Sequence, residues 1–308
     1  MRSDTLTLTA GDGTQLHVYR WLPDGEPTAI VQIAHGMAEH AGRYERFAQA
    51  LTDHGYAVYA EDHRGHGVTS ETTGVGYLAD GDGFDTVAED FVTVFDKASD
   101  EFPGLPRVLF GHSMGSMLAR HFATKHSDDI SALIVSGTAG DPGLLGKAGK
   151  VVATLESKVR GKRTPSPLMN KLVFGEYNKA FKPNRTDFDW LSRDEAEVDA
   201  YIADPHCGKV FSSGFYADLL SGLDRINSEE HVATVRRDLP ILLIAGDKDP
   251  VGDNGKGVEA VGAQYEKLGV TDVTVILYPG ARHELLNETN RDEVTEGVLS
   301  WLEQHLPQ

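Results

Sequence analysis

The chain alternates between two hydrophobic rhythms. Short apolar runs at 29–34 (AIVQIA), 56–60, 107–110, 131–136 (SALIVS), 241–245 and 273–278 read as strands, the near-continuous 29–34 as a parallel strand covered on both faces. Between them, apolar residues recur every three or four positions. That period predicts helices over about 42–54, 84–102, 116–126, 255–268 and 291–305, with Val87, Phe91, Val94 and Ala98 on one face of the second. Upstream, alternation over 5–9 ends at Gly11-Asp12-Gly13 and resumes over 15–21, which predicts a β-hairpin. After Gly137 the rhythm breaks. Positions 140–238 are helical in pattern without a clear buried strand, and strands resume after Pro240. The expected organisation is a core from 1–139, a helical insert over 140–238 and a returning core over 239–308, in an α/β fold with a mostly parallel central sheet.

Within the insert, Leu144, Leu145, Ala148, Val152, Leu155 and Val159 share one helical face, while Lys147, Lys150, Lys158 and Arg160 favour others. The expectation is that the apolar face packs down onto the rest of the insert and the site, with the lysines in water. The competing reading is a weak, salt-sensitive contact with an anionic lipid surface.

Charge sharpens that choice. The net charge is −18, which argues against a nucleic-acid partner. Yet 147–185 holds ten basic and two acidic residues, so a basic segment sits within an acidic protein. Composition is otherwise globular. There is no run of eighteen apolar residues, and the N-terminal MRSDTLTLTAGDGTQL lacks the apolar core of a signal peptide. The single cysteine, Cys207, excludes an internal disulfide and a cysteine-based metal cluster, and a cytoplasmic location is expected. Oligomeric state is not legible.

The candidate chemistry begins at Gly111-His112-Ser113-Met114-Gly115. A G-x-S-x-G pentapeptide between a strand and a helix is a nucleophile elbow, which lifts the serine hydroxyl off the sheet edge. Serine needs a base, and the base an orienting carboxylate, each on a loop after a later strand. Of thirteen histidines only His283 lies between the last strand and the last helix. For the carboxylate, Asp249 competes with Asp247 and Asp253 in the preceding loop. Acyl transfer also needs two backbone N–H groups for an oxyanion. Met114 follows the serine, and Met37 follows the His35-Gly36 turn after the first parallel strand. The cluster Asp62, His63, Arg64 and His66 reads as a hydrogen-bonded loop, Cys207 as a small buried hydrophobe, and Glu284 as a helix cap or surface residue. No phosphate-binding G-x-x-x-x-G-K and no nicotinamide fingerprint are present.

These motifs resemble the monoacylglycerol lipase and lysophospholipase branch of the α/β-hydrolase superfamily, the serine aminopeptidase-like group. The resemblance runs through HGMAEHAGRYERFA at 35–48, EDHRGHG at 61–67, GHSMG at 111–115, FDWLSRD at 188–194, DPHCG at 204–208, AGDKDPVG at 245–252 and YPGARHELLNE at 278–288. It implies an α/β-hydrolase fold with a helical cap after the sixth strand. It implies Ser113 as nucleophile, Asp249 as acid, His283 as base, and Met37 and Met114 as oxyanion donors. It also implies hydrolysis of a single-chain acyl ester, monoacylglycerol first, with no cofactor or metal. A lysophospholipase, a broad carboxylesterase, an aminopeptidase-like amidase and a non-catalytic binder on the same fold are the alternatives. Two departures stand out: Ser70 comes one residue later than in relatives, and His206 replaces an apolar residue, which bears on acyl preference if it faces the pocket.

Overall fold

The computed structural model describes residues 1–307. Its centre is an eight-stranded sheet: β1 (Arg2–Thr9), β2 (Gln15–Leu22), β3 (Ala29–Ala34), β4 (Tyr56–Glu61), β5 (Arg107–His112), β6 (Ala132–Ser136), β7 (Ile241–Gly246) and β8 (Val273–Tyr278). The order across the sheet is β1-β2-β4-β3-β5-β6-β7-β8. The first two strands form the expected hairpin, with Thr9 opposite Gln15, and β2 joins β4 antiparallel. All other pairings are parallel.

The near-continuous apolar runs follow from there being two cores, one on each face. Side chains alternate along a strand, so Ile30 and Ala34 enter one core while Val31 and Ile33 enter the other. In β7, Ile241 and Leu243 point one way and Leu242 and Ile244 the other. The helices before the insert are α1 (Glu45–Asp53), α2 (Ser70–Thr73), α3 (Gly83–Glu101) and α4 (Met114–His126). The insert carries α5 (Gly143–Arg160), α6 (Pro167–Phe174), α7 (Glu195–Ala203), α8 (Ser213–Ile226) and α9 (Glu229–Val232), followed by α10 (Lys256–Lys267) and α11 (Arg291–His305). Helices α3, α4, α8 and α10 cover one face, through residues such as Phe91, Leu118, Leu219 and Val258. The other face is covered by α1 and α11, through Phe47 and Trp301.

The insert follows β6 and adds no strand to the sheet. Its α8 packs on α3 and α4, so its later half also serves as a flank of the core, and α5 lies on α8. Here one expectation is overturned. The apolar face of α5 does not pack down. Leu144, Leu145 and Val159 are 84, 86 and 84 % exposed, and Val152 and Leu155 also face water. The buried positions are Gly146, Ala153 and Ser157. Small residues of α5 lie against α8, and a Cβ built at Gly149 would already be in contact with Leu220 Cδ1, 3.5 Å away. Hydrophobicity alone assigns burial to the larger side chains, but the close α5–α8 contact accommodates only the smaller ones.

A satellite core of Trp190, Leu191, Tyr201 and Cys207 forms the rest of the insert, and it is stitched to the loops at the strand ends. Gly208 N–H and the Tyr201 hydroxyl both donate to the Ala38 carbonyl at 2.9 Å. Glu284 N–H donates to the Leu191 carbonyl at 2.8 Å. The loops after β3, β5, β7 and β8 thus meet beneath one roof.

Candidate active site

The turn from β5 into α4 is forced by its residues. Ser113 has φ +52°, a left-handed conformation rarely adopted by non-glycine residues. The turn closes only because its neighbours lack side chains. A Cβ at Gly115 would lie 2.0 Å from the Ala34 carbonyl oxygen, and one at Gly111 would lie 2.4 Å from that of Gly115. Ser113 N–H donates to Ser136 O at 2.9 Å, and its side chain does not cap α4. The residue stays half-buried and lines a cavity of about 370 Å3 beneath the insert, together with Met37, Phe174, Trp190, Leu191 and His283. That volume falls in the usual range for small-molecule sites.

Of the three candidate carboxylates, geometry selects one. Asp249, fully buried, accepts from His283 Nδ1 at 2.9 Å through Oδ2 and from Val251 N–H at 2.9 Å through Oδ1. Asp247 is a turn residue, accepting from Gly280 N–H at 2.7 Å. Asp253 sits at φ +49° in the loop that follows. Burial opposes protonation of His283, but the Asp249 charge and hydrogen bond, with Glu284 and Glu39 beyond, outweigh it and raise its pKa above the ordinary histidine value. The neighbouring His112 ring, 4.8 Å from that of His283, is pushed down to about 4 by burial and by His283, which keeps it neutral.

The loop after β3 lies against the serine. A Cβ at Gly36 would be 3.2 Å from Ser113 Cβ, which brings Met37 to the edge of the cavity. Met114 is the first residue of α4, where a backbone N–H has no partner within the helix. Both sequence-predicted oxyanion donors therefore flank Ser113.

One network lies beyond what the sequence pattern predicts. Glu39 Oε1 accepts from Gly36 N–H at 2.5 Å and from the Tyr44 hydroxyl at 2.8 Å. Glu39 Oε2 accepts from Arg43 at 2.6 Å, and Arg43 grips Glu284 with two bonds of 2.8 Å. Glu284 is 5 % exposed, so the expected surface role is corrected. Burial alone would raise its carboxyl, but the Arg43 guanidinium holds it well below the usual carboxylate range. The available signal was the spacing of Glu39 and Arg43, four apart, and a second acid directly after His283. His206 is not among the cavity-lining residues, and its ring centroid lies 5.6 Å from that of His40. The 61–67 loop is a hydrogen-bonded brace: Asp62 accepts from Ala41 and Val68 N–H, and Arg64 joins Asp12 to Asp90.

A family model described as Serine aminopeptidase, S33 matches residues 25–290. The chain belongs to that family. Within it, the monoacylglycerol lipase of Mycolicibacterium smegmatis is 35 % identical over 303 residues, covering 96 % of each chain. The human monoglyceride lipase is 30 % identical over 292 residues, covering 94 % of this chain and 86 % of its own. A solved thermostable carboxyl esterase from Bacillus coagulans, in complex with glycerol, superposes with a TM-score of 0.92 at 32 % identity, covering 99 % of both chains. The resemblance to the monoacylglycerol lipase branch and the α/β-hydrolase fold read from the sequence are thereby borne out.

Proposed function

We propose that this family member is a serine ester hydrolase that cleaves monoacylglycerol to fatty acid and glycerol. The observation that carries the reading is that His283, held by the buried Asp249, lines the same cavity below the insert as the strained Ser113. In this mechanism His283 takes the Ser113 proton and Ser113 attacks the ester carbonyl, while the Met37 and Met114 N–H groups hold the oxyanion. Protonated His283 releases the alcohol, and water then hydrolyses the acyl-enzyme along the same route. No metal or cofactor takes part.

Residues 140–238 are the cap, and the cores 1–139 and 239–308 supply the machinery. Phe174, Trp190 and Leu191 offer the acyl chain an apolar wall. Lys171 and Lys209 also line the cavity, which favours lysophospholipid as a second substrate because they can face its phosphate. No helix is long and apolar enough to cross a membrane among the described residues. The exposed Leu144, Leu145, Leu155 and Val159, beside the basic 147–185 segment, favour a peripheral contact with an anionic lipid surface from the cytoplasmic side.

The test is a rate series: monoacylglycerols and p-nitrophenyl esters of rising chain length, lysophosphatidylcholine, and an aminoacyl amide. The highest kcat/KM is expected with a monoacylglycerol. A maximum at acetate esters or at the amide overturns the substrate assignment, and failure of a fluorophosphonate probe to label Ser113 overturns the mechanism.

A further inference from the structure

We propose that His40, Asp204 and Cys207 form a binding site for a divalent transition-metal ion of the zinc type, which clamps the cap onto the loop that carries Met37. The three donor atoms come from two separate elements. His40 ends the loop after β3, while Asp204 and Cys207 lie in the loop after α7. One imidazole nitrogen, one carboxylate oxygen and the thiol sulfur all lie within 4.8 Å of one another. Tetrahedral zinc, with bonds of about 2.0–2.3 Å, places its donors roughly 3.3–3.7 Å apart, so only small side-chain shifts are needed. His40 Nε2 already points at Asp204 Oδ2, 3.0 Å away, and would separate from it slightly to admit the ion.

The donor chemistry matches the ion. An imidazole, a carboxylate and a thiolate together suit zinc and its neighbours and do not suit magnesium or calcium, which take oxygen. The His206 ring, its centroid 5.6 Å from that of His40, is the candidate for a fourth nitrogen. His40 and Asp204 are partly exposed, with 14 and 26 % of their side-chain surface in water, which gives the ion a way in. Cys207 is buried, and without metal its thiol is a neutral S–H. On binding, the S–H bond breaks, sulfur keeps the electron pair to ligate the ion, and the proton passes to solvent. The Arg43 guanidinium is paired with Glu39 and Glu284. This differs from a cysteine cluster, which one cysteine cannot build.

The consequence is mechanical. Ala38 already receives two hydrogen bonds from the cap, from Gly208 N–H and the Tyr201 hydroxyl. A metal at His40 would replace the direct His40–Asp204 contact two residues further on with two coordinate bonds and add a bond to Cys207, fixing the cap to the oxyanion loop independently of substrate.

The test titrates the full-length, chelator-treated protein with Zn2+ by calorimetry and with Co2+ by absorption. One ion per chain, a thiolate-to-cobalt charge-transfer band and a melting temperature raised by a few degrees are expected. His40→Ala and Asp204→Asn should each weaken Zn2+ binding by at least about tenfold, and Cys207→Ser should remove the charge-transfer band. His206→Ala should weaken binding less, because that ring must rotate to reach the ion. Absence of stoichiometric binding, or binding unchanged in His40→Ala, overturns the proposal. The His40 variant is decisive because its partly exposed side chain can be removed without hollowing the core. A Co2+ complex without a sulfur band overturns the proposal as well.

Discussion

Two helices carry opposite lessons. In α4 every residue from Met114 to Ala123 is buried, polar ones included, because the helix is wedged between the sheet, α3 and α8. In α5 only Gly146, Ala153 and Ser157 are buried, and six of its large apolar residues face water. Both show an amphipathic pattern, and hydrophobicity alone ranks α5's leucines first for burial. What decides is the distance at which the neighbour sits. A buried Leu or Val side chain contributes about 1.5–3 kcal/mol, so an apolar face left in water forgoes that gain unless another surface covers it. The core helix α4 is covered within the chain, whereas α5 leaves its large apolar residues in water.

The largest effect that follows lies on the core side. Ser113→Ala should lower kcat by at least about 10⁴-fold while leaving the melting temperature near that of the parent, measured with a monoacylglycerol substrate and by thermal denaturation. A variant that keeps most of its activity would remove the functional half of the contrast.

The α5–α8 contact gives the next. Ala153→Leu should destabilise by about 1–3 kcal/mol, because the added side chain meets a helix packed too close to accept it. Denaturant unfolding measures this. A neutral or stabilising result would mean that the contact is looser than the buried glycine and alanine positions indicate.

The exposed face predicts the reverse pattern. The double variant Leu145→Ser, Leu155→Ser should change stability by no more than about 0.5 kcal/mol and yet reduce co-sedimentation with anionic liposomes at low salt. If stability falls by several times that amount, the face is covered within the folded chain. If sedimentation is unchanged, its partner is not a lipid surface.

The same contrast governs what could be read in advance. The strands were legible because two cores turn alternation into continuous apolar runs, and Ser113, Asp249 and His283 were legible because each occupies the loop after a specific strand. Ser113 and Gly115 also constrain each other locally, so five residues suffice to define a turn. The orientation of α5 was hidden because it depends on how closely α8 approaches, which no local pattern encodes. Glu39, Arg43 and Glu284 were hidden for a related reason. Arg43 and Glu284 are 241 positions apart, and the Glu284 carboxylate is buried only because the guanidinium meets it there.

That hidden network yields the smallest of these effects and the most specific. In the proposed mechanism His283 must be neutral to accept the serine proton, so activity should be lost as pH falls through its pKa, which lies above the ordinary value. Glu284 is one of the charges that hold the imidazolium in place. Removing that charge in Glu284→Gln should lower the His283 pKa and move the acid limb of the kcat/KM profile to lower pH. Arg43 can still bond to Glu39 and to the amide oxygen, so the loop after β3 keeps its tie at Gly36. The variant should therefore retain turnover near neutral pH while gaining relative activity in acid. A purely structural role would scale the profile down without moving its limb. A limb moved to higher pH would reverse the sign of the electrostatic coupling and leave Glu284 as a tether for Arg43 alone.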